Sequence, residues 1–400
     1  MKILFAGQNY RITGGSDRVF IDEMTLLEKF GHEVAPFCAK HPDNFRTEWA
    51  SYFPEASSFE NPGIKDAVNY VYSSDAKRKI TKILDKFSPD IAHCHIYYGK
   101  LTSSILGEIK RRGIPLVQTL HEYKIVCPVY TIQSNGVTCN ECAGFKFYNV
   151  IKNRCNRGSI VRSTLSCFES YMSKMLGSID SFGHFIAVSN FLRQTVIDMG
   201  VPEDKITTIH NYTDASLFVP NYTAGDYFLF FGRLEKNKGI WPMIEAFRRM
   251  PQVQLVIVGS GSEEVSMRSY IHQTNIKNIK MLGFMTGDTL SEIIRGALCV
   301  VVPSICHETF GLTITEAFAY GKPVIASRIG GIPEVISPGQ DGLLVEPGDV
   351  GDLVDAVDYM TNNIPRSVEM GRAGRNNVER KFNCKIHYEK LMQVYAKCKE

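Results

Sequence analysis

Short, almost wholly apolar runs alternate along this chain with stretches of helical length and amphipathic pattern. The runs fall at 2–6, 33–38, 89–95, 114–119, 184–188 and 206–209, and then at 227–231, 254–258, 279–282, 298–303 and 324–326. Runs so brief and so apolar are strands buried on both faces, and helices between them are what parallel pairing requires. The pattern therefore predicts parallel sheets flanked by helices. Four hundred residues exceed what one ordinary core organises, so two such domains are expected, with 221–225 as the linker. In sheets of this kind ligands sit beyond the carboxyl ends of the strands. His95 and His121 both fall at such ends and are candidates for chemistry, although a single histidine is more often structural.

The stretch 307–331, HETFGLTITEAFAYGKPVIASRIGG, carries the densest signal. Glu308 precedes a helix expected over 312–320, and Glu316 lies about one turn inside it. A helix N-terminus offers unpaired N–H groups and partial positive charge, a seat for phosphate. Two acids beside it suit a ligand anionic in one part and rich in hydroxyls in another, as a nucleotide sugar is. A second cluster follows the strand at 227–231. There Gly232 is followed by Arg233 and Lys238, five apart, which can bring two cations to one diphosphate. Gly14-Gly15, between the first strand and a helix capped by Ser16-Asp17, suits either close approach to a phosphate or a plain tight turn. Gly259-Ser260-Gly261 has the same ambiguity, lacking a third glycine.

The net charge of +3 is too small to argue for nucleic acid, and no apolar run approaches membrane-spanning length. Eleven cysteines, an odd number and unevenly spread, with no export signal ahead of the first strand, point to a reducing cytosol. Four of them, Cys127, Cys139, Cys142 and Cys155, are spaced C-x11-C-x2-C-x12-C in an insertion that has little core of its own. They fit a structural tetrathiolate zinc site, and equally four free thiols or a disulfide. Between Cys142 and Phe168 there is no acid, while Lys146, Lys152, Arg154, Arg157 and Arg162 interleave with Phe145, Phe147 and Tyr148. Such a patch suits a bilayer surface or a lipid-diphosphate acceptor, or else a solvated basic face.

Taken together, Glu308, seven residues, Glu316, with Phe-Gly after the first and Ala-x-Ala-x-Gly-x-Pro-Val-Ile-Ala after the second, resemble the retaining glycosyltransferases of family 4. The resemblance runs nearly full length, is strongest over 232–239 and 308–331, and weakest over 39–75. It implies an α/β fold of the GT-B type, two Rossmann-like doubly wound domains facing across a cleft. The domains would be 1–212 and 213–383, with a final helix over 384–400 crossing back to the first. It further implies that Glu308 meets the donor sugar and Glu316 the ribose, with Phe310, Gly311 and Leu312 between them in the substrate site. Arg233 and Lys238 would hold the donor pyrophosphate, and His121 would contact the sugar near the reacting carbon. Gly15 and Arg18 would face the cleft, and Phe284 would pack on the base unless it is a core aromatic.

The reaction so implied moves a sugar from a nucleoside diphosphate, UDP- or GDP-linked, to a hydroxyl of a glycan or lipid-linked acceptor of surface polysaccharide synthesis. The anomeric configuration would be retained. The chain contains no Asp-x-Asp, so no cofactor is expected for catalysis, zinc in the insertion being structural. Cytoplasmic location, with peripheral association at the inner membrane face, follows as an expectation. The alternative is a nucleotide-sugar epimerase of the same architecture, since His95, His121 and Glu122 could serve as its acid and base.

Overall fold

The computed structural model describes residues 1–56, 63–134 and 136–399. The chain divides into two compact units, Met1–Ile209 with Tyr388–Glu400, and His210–His387. In the first unit the strands are β1 (Lys2–Ala6), β2 (Glu33–Phe37), β3 (Ile91–Cys94), β4 (Leu116–Leu120), the two-residue β5 (Gln133–Ser134) and β6 (Val137–Thr138), β7 (His184–Ala187) and β8 (Ile206–Thr208). All but β5 and β6 form one parallel sheet in the order β2-β1-β3-β4-β7-β8. The second unit has β9 (Tyr227–Phe231), β10 (Gln254–Val258), β11 (Ile279–Gly283), β12 (Cys299–Val302), β13 (Val324–Ser327) and β14 (Gly342–Val345). Its parallel sheet runs β11-β10-β9-β12-β13-β14. Two α/β units with helix-covered parallel sheets are what the alternation of apolar runs demanded.

Strand order reverses between β1 and β3 in the first sheet and between β9 and β12 in the second. Connections leave the sheet in opposite directions at those points, and the crevice left outside the carboxyl ends is where doubly wound sheets bind ligands. The sequence elements found there are the loop after β1, His95 after β3, the Gly232 turn after β9 and the Glu308 loop after β12. Topology thus gathers most of the candidate residues at two places, one on each unit.

Each unit has its own core. In the second, Phe228 of β9, Phe247 and Ile257 are buried together, and truncating Phe247 to alanine is expected to cost about 3–5 kcal/mol. In the first, Ile3 and Phe5 of β1 pack with Phe20, Met24 and Leu27 of the helix Gly15–Lys29. Leu391, Val394 and Tyr395, from the last helix Cys384–Lys397, complete that same core. Phe30 stacks on Tyr388 with ring centroids 3.8 Å apart.

Two local expectations differ from the structure. The polar stretch 221–225 is not a linker. Asn221 Nδ2 donates to the Arg295 carbonyl at 2.8 Å and Lys322 Nζ to the Thr223 carbonyl at 2.9 Å, so its polarity serves anchoring within the second unit. Nor do Ser16 and Asp17 cap the first helix. It starts after Gly14, and Asp17, inside its first turn, reaches back to accept from the Thr13 amide at 3.1 Å.

Candidate active site

In the second unit the turn Lys236–Lys238 follows β9 and lies against the end of β12, where Ile305 N donates to the Asn237 carbonyl at 3.0 Å. Gly239, at φ +70°, closes the turn, and a Cβ there would collide with the Pro303 carbonyl. Only glycine satisfies both the left-handed backbone and the contact. The close approach delivers Lys238 to Glu308: Nζ stands 2.5 Å from Oε1, and Ser304 Oγ donates to the same oxygen at 2.7 Å. The Glu308 backbone is fixed in turn, its carbonyl accepting from the Gly331 amide at 2.7 Å. Both charged side chains remain about one-fifth exposed, at 22% and 19%. A cation and an acid are thereby held together and open to a ligand, at the reversal of the sheet.

Gly311, at φ +112°, begins the helix Leu312–Ala319, and no side-chain oxygen caps it among the described residues. Its first amides are therefore directed outward as anion donors. Glu316 and Leu312 are partly exposed on this helix. Arg233 is exposed on the loop that also carries Lys238. The Phe310 ring is buried instead, packed on Phe382 at 5.5 Å and beside His210 at 5.8 Å, so it anchors the loop from beneath. Phe284 stands 72% exposed after β11 and is no core aromatic. The glycines 259 and 261 serve packing: a Cβ at either would meet the Gly232 or Leu234 carbonyl.

In the first unit a small pocket opens at the ends of β1 and β3, lined by Gly7, Gln8, Asp17, Phe20 and His95 among others. Gly15 opens the neighbouring helix, while Arg18 is turned along that helix onto Asp22 at 2.8 Å. His95 and His121 are joined, Nδ1 to Nε2, at 2.8 Å. Behind them, Glu23 Oε2 lies 3.0 Å from His95 Nε2. Glu23 and His95 are fully buried and His121 is partly exposed, so a line of polar groups leads from the core to the surface. The hydrogen bond between the two rings fixes the orientation of His121, and the Glu23 carboxylate stands within ion-pair distance of His95.

Glu23 was not singled out in the sequence, though its position was readable: with Phe20, Met24 and Leu27 it falls on one helical face. Among the described residues, Glu23, His93 and His95 also form a group of possible metal ligands whose ligand atoms lie within 4.8 Å of one another. Both nitrogens of His93 are engaged, however, Nδ1 with Tyr395 Oη at 2.7 Å and Nε2 with Thr119 Oγ1 at 2.8 Å. The group reads as a hydrogen-bond network that ties the last helix to the sheet. Next to it, burial pushes the Glu122 carboxyl up to about 7, with Lys124 opposing the rise and Glu169 adding to it.

Residues 13–217 match the family described as Glycosyltransferase Family 4, and residues 219–377 the family described as Glycosyl transferases group 1. The chain is 27% identical over 315 residues to an uncharacterised glycosyltransferase of Methanocaldococcus jannaschii, covering 71% of each. Several other curated relatives are matched over about half their length. Among solved structures, sucrose-phosphate synthase from Thermosynechococcus elongatus superposes with a TM-score of 0.74 at 19% identity, covering 99% of this chain and 98% of that one. HepE from Anabaena, solved with UDP-glucose, gives 0.66 at 19% identity, with 99% of each chain covered. These structural likenesses establish the GT-B type of fold.

Proposed function

Because the chain belongs to glycosyltransferase family 4, we propose that it transfers a hexosyl group from a nucleoside-diphosphate sugar to a hydroxyl acceptor with retention of anomeric configuration. The observation that carries this reading is the Lys238–Glu308 pair at the reversal of the second sheet, beside an uncapped helix N-terminus. Breaking a glycosyl–phosphate bond leaves negative charge on the diphosphate and positive charge on the sugar ring. Lys238, Arg233 and the amides at Gly311 and Leu312 are the donors for the first. Once Lys238 turns to the diphosphate, the Glu308 carboxylate is released to the sugar hydroxyls. Glu316, one turn further along the helix and partly exposed, takes the ribose. Phe284 offers an exposed ring for the base. His121 orients the sugar, and the departing phosphate oxygen takes the proton of the acceptor hydroxyl as the new glycosidic bond forms on the same face. HepE, of the same fold, was solved with UDP-glucose, which supports a uridine donor first.

The acceptor side is supported by the helix Ile160–Met175. Its buried positions include Ser163, Ser166, Glu169 and Ser170, whereas Val161, Phe168 and Met175 stand 78%, 55% and 81% exposed. An apolar stripe facing water beside Arg157, Arg162 and Lys174 suits an anionic bilayer carrying a lipid-linked acceptor. No helix among the described residues is long and apolar enough to cross a membrane.

Thermal-shift measurement against UDP-, GDP-, ADP- and TDP-sugars, followed by product analysis with the stabilising donor, tests the reading. Glu308→Gln should lower turnover more than nucleotide affinity, and Glu316→Gln should chiefly weaken the nucleotide. Stabilisation by none of the donors, or loss of nucleotide affinity alone in both variants, overturns it.

A further inference from the structure

Among its described residues, the segment between β4 and the helix Ile160–Met175 has little regular structure: two-residue strands β5 and β6, the 3-10 turn Ala143–Phe145 and the four-residue helix Asn149–Lys152. Its backbone is unusually contorted. Of the eight non-glycine residues with positive φ among those described, Tyr130, Ile132, Phe145, Arg154 and Arg157 lie here. Ile132 is β-branched at φ +48°, a conformation such residues adopt only when their surroundings force it. Something must hold this segment, and its own core is small.

What gathers at its centre is sulfur. Cys127, Cys139, Cys142 and Cys155 all line one small cavity, whose other walls are mainly apolar, among them Val129 and Val150. All four are free thiols. They arrive from three pieces of chain. Cys127 closes a turn through its amide to the Tyr123 carbonyl at 2.8 Å, and Cys139 follows β6, its amide on the Ile132 carbonyl at 2.8 Å. Cys142 lies within a turn closed by Ala143 N donating to the Asn140 carbonyl at 2.9 Å, and Cys155 N donates to the Val150 carbonyl at 3.1 Å. Asn149 Nδ2 clamps the Cys139–Cys142 turn from behind, donating to the Glu141 carbonyl at 2.7 Å.

We propose that Cys127, Cys139, Cys142 and Cys155 ligate one zinc ion, which fixes the fold of the segment between β4 and the helix Ile160–Met175. All four cysteines line the one cavity, and since no three of their sulfurs lie within 4.8 Å of one another, the ion must draw them in to the Zn–S distance of about 2.3 Å. Binding replaces four S–H bonds by four Zn–S bonds and releases four protons to solvent. The product carries a net charge of 2−. Between Cys142 and Phe168 the chain has five Lys and Arg and no acid, which supplies the compensating field. Four thiolates leave no open position, so the ion is structural and takes no part in sugar transfer.

Full-length protein purified without chelator is assayed for metal by elemental analysis, alongside Cys139→Ser/Cys142→Ser and, as control, Cys167→Ser. Cys167 is buried nearby but does not line the cavity. About one zinc per chain is expected in the wild type and in the control, and near none in the double variant. Removal of zinc by chelator with a mercurial should open 127–158 to proteolysis while nucleoside-diphosphate affinity, measured by calorimetry, persists. If the double variant fails to fold, the wild-type zinc content and the Cys167→Ser control still decide. Zinc near zero in the wild type, with all four thiols reactive in the folded protein or joined as disulfides, overturns the proposal.

Discussion

At the scale of single residues, the Lys238–Glu308 pair makes a specific claim about energy. On the proposed reading, replacing Lys238 by alanine would remove a charge-assisted contact to the donor diphosphate, a loss that typically costs about 1.5–3 kcal/mol, roughly ten- to a hundredfold in affinity. Calorimetry with the preferred nucleoside diphosphate should show that loss, and unchanged affinity would remove Lys238 from the diphosphate site. Glu23 supports a different prediction, because its carboxylate lies 3.0 Å from His95 Nε2 and His95 is hydrogen-bonded to His121, so its charge would act on His121 at one remove. Glu23→Gln should lower kcat with KM for the donor little changed, and should shift the pH profile of kcat. A loss seen only in thermal stability would mean that Glu23 is merely a buried acid. Glu122 allows a prediction in pH. Its folded pKa lies above the unfolded value, so the fold binds more protons between about 4.5 and 7 and loses stability as pH rises through that window. Glu122→Gln should therefore flatten the dependence of Tm on pH, and an identical curve for both proteins would contradict it. The acids 308 and 316 were legible because they stand in an ordered block of glycines and apolar residues. Their pairing was not, since Glu308 and Lys238 are seventy residues apart and meet only through the order of the strands.

At the scale of elements, apolar runs revealed the strands and missed what each helix hides. The helix Ile160–Met175 shows why. Apolar residues fall on its exposed side and serines on its buried side, so its pattern alone does not announce which face is inward. The buried face is held electrostatically: Lys124 Nζ lies 2.5 Å from Glu169, both side chains almost wholly inside. Removing one partner strands the other, and Glu169→Gln is expected to cost about 3–5 kcal/mol by denaturant titration. A change below half a kcal/mol would show that the pair is hydrated. The outer face predicts membrane behaviour. Val161→Glu/Phe168→Glu should reduce co-sedimentation with anionic vesicles severalfold and leave binding of soluble donor unaltered. Equal vesicle binding by both proteins would dismiss the face as an attachment surface.

At the scale of the whole chain, the alternation of strand and helix foretold two parallel sheets but could not foretell that their orders differ. The second follows 3-2-1-4-5-6 by position within its unit and the first 2-1-3-4-5-6. Order is set by which helices cover which face, and that depends on long-range packing. The same holds for the division of the last helix at Tyr388, invisible in a sequence whose helical pattern runs on without a break. Leu391, Val394 and Tyr395 are part of the first core, alongside strands made some three hundred residues earlier. During synthesis, then, the amino-terminal half cannot close its core as it leaves the ribosome, contrary to the usual order in which domains fold. The contiguous unit 210–387 can be complete first. Until residues 388–399 emerge, the flank of β1 and of the helix Gly15–Lys29 that they cover in the finished fold has no such cover, and apolar surface left open in this way is what chaperones bind.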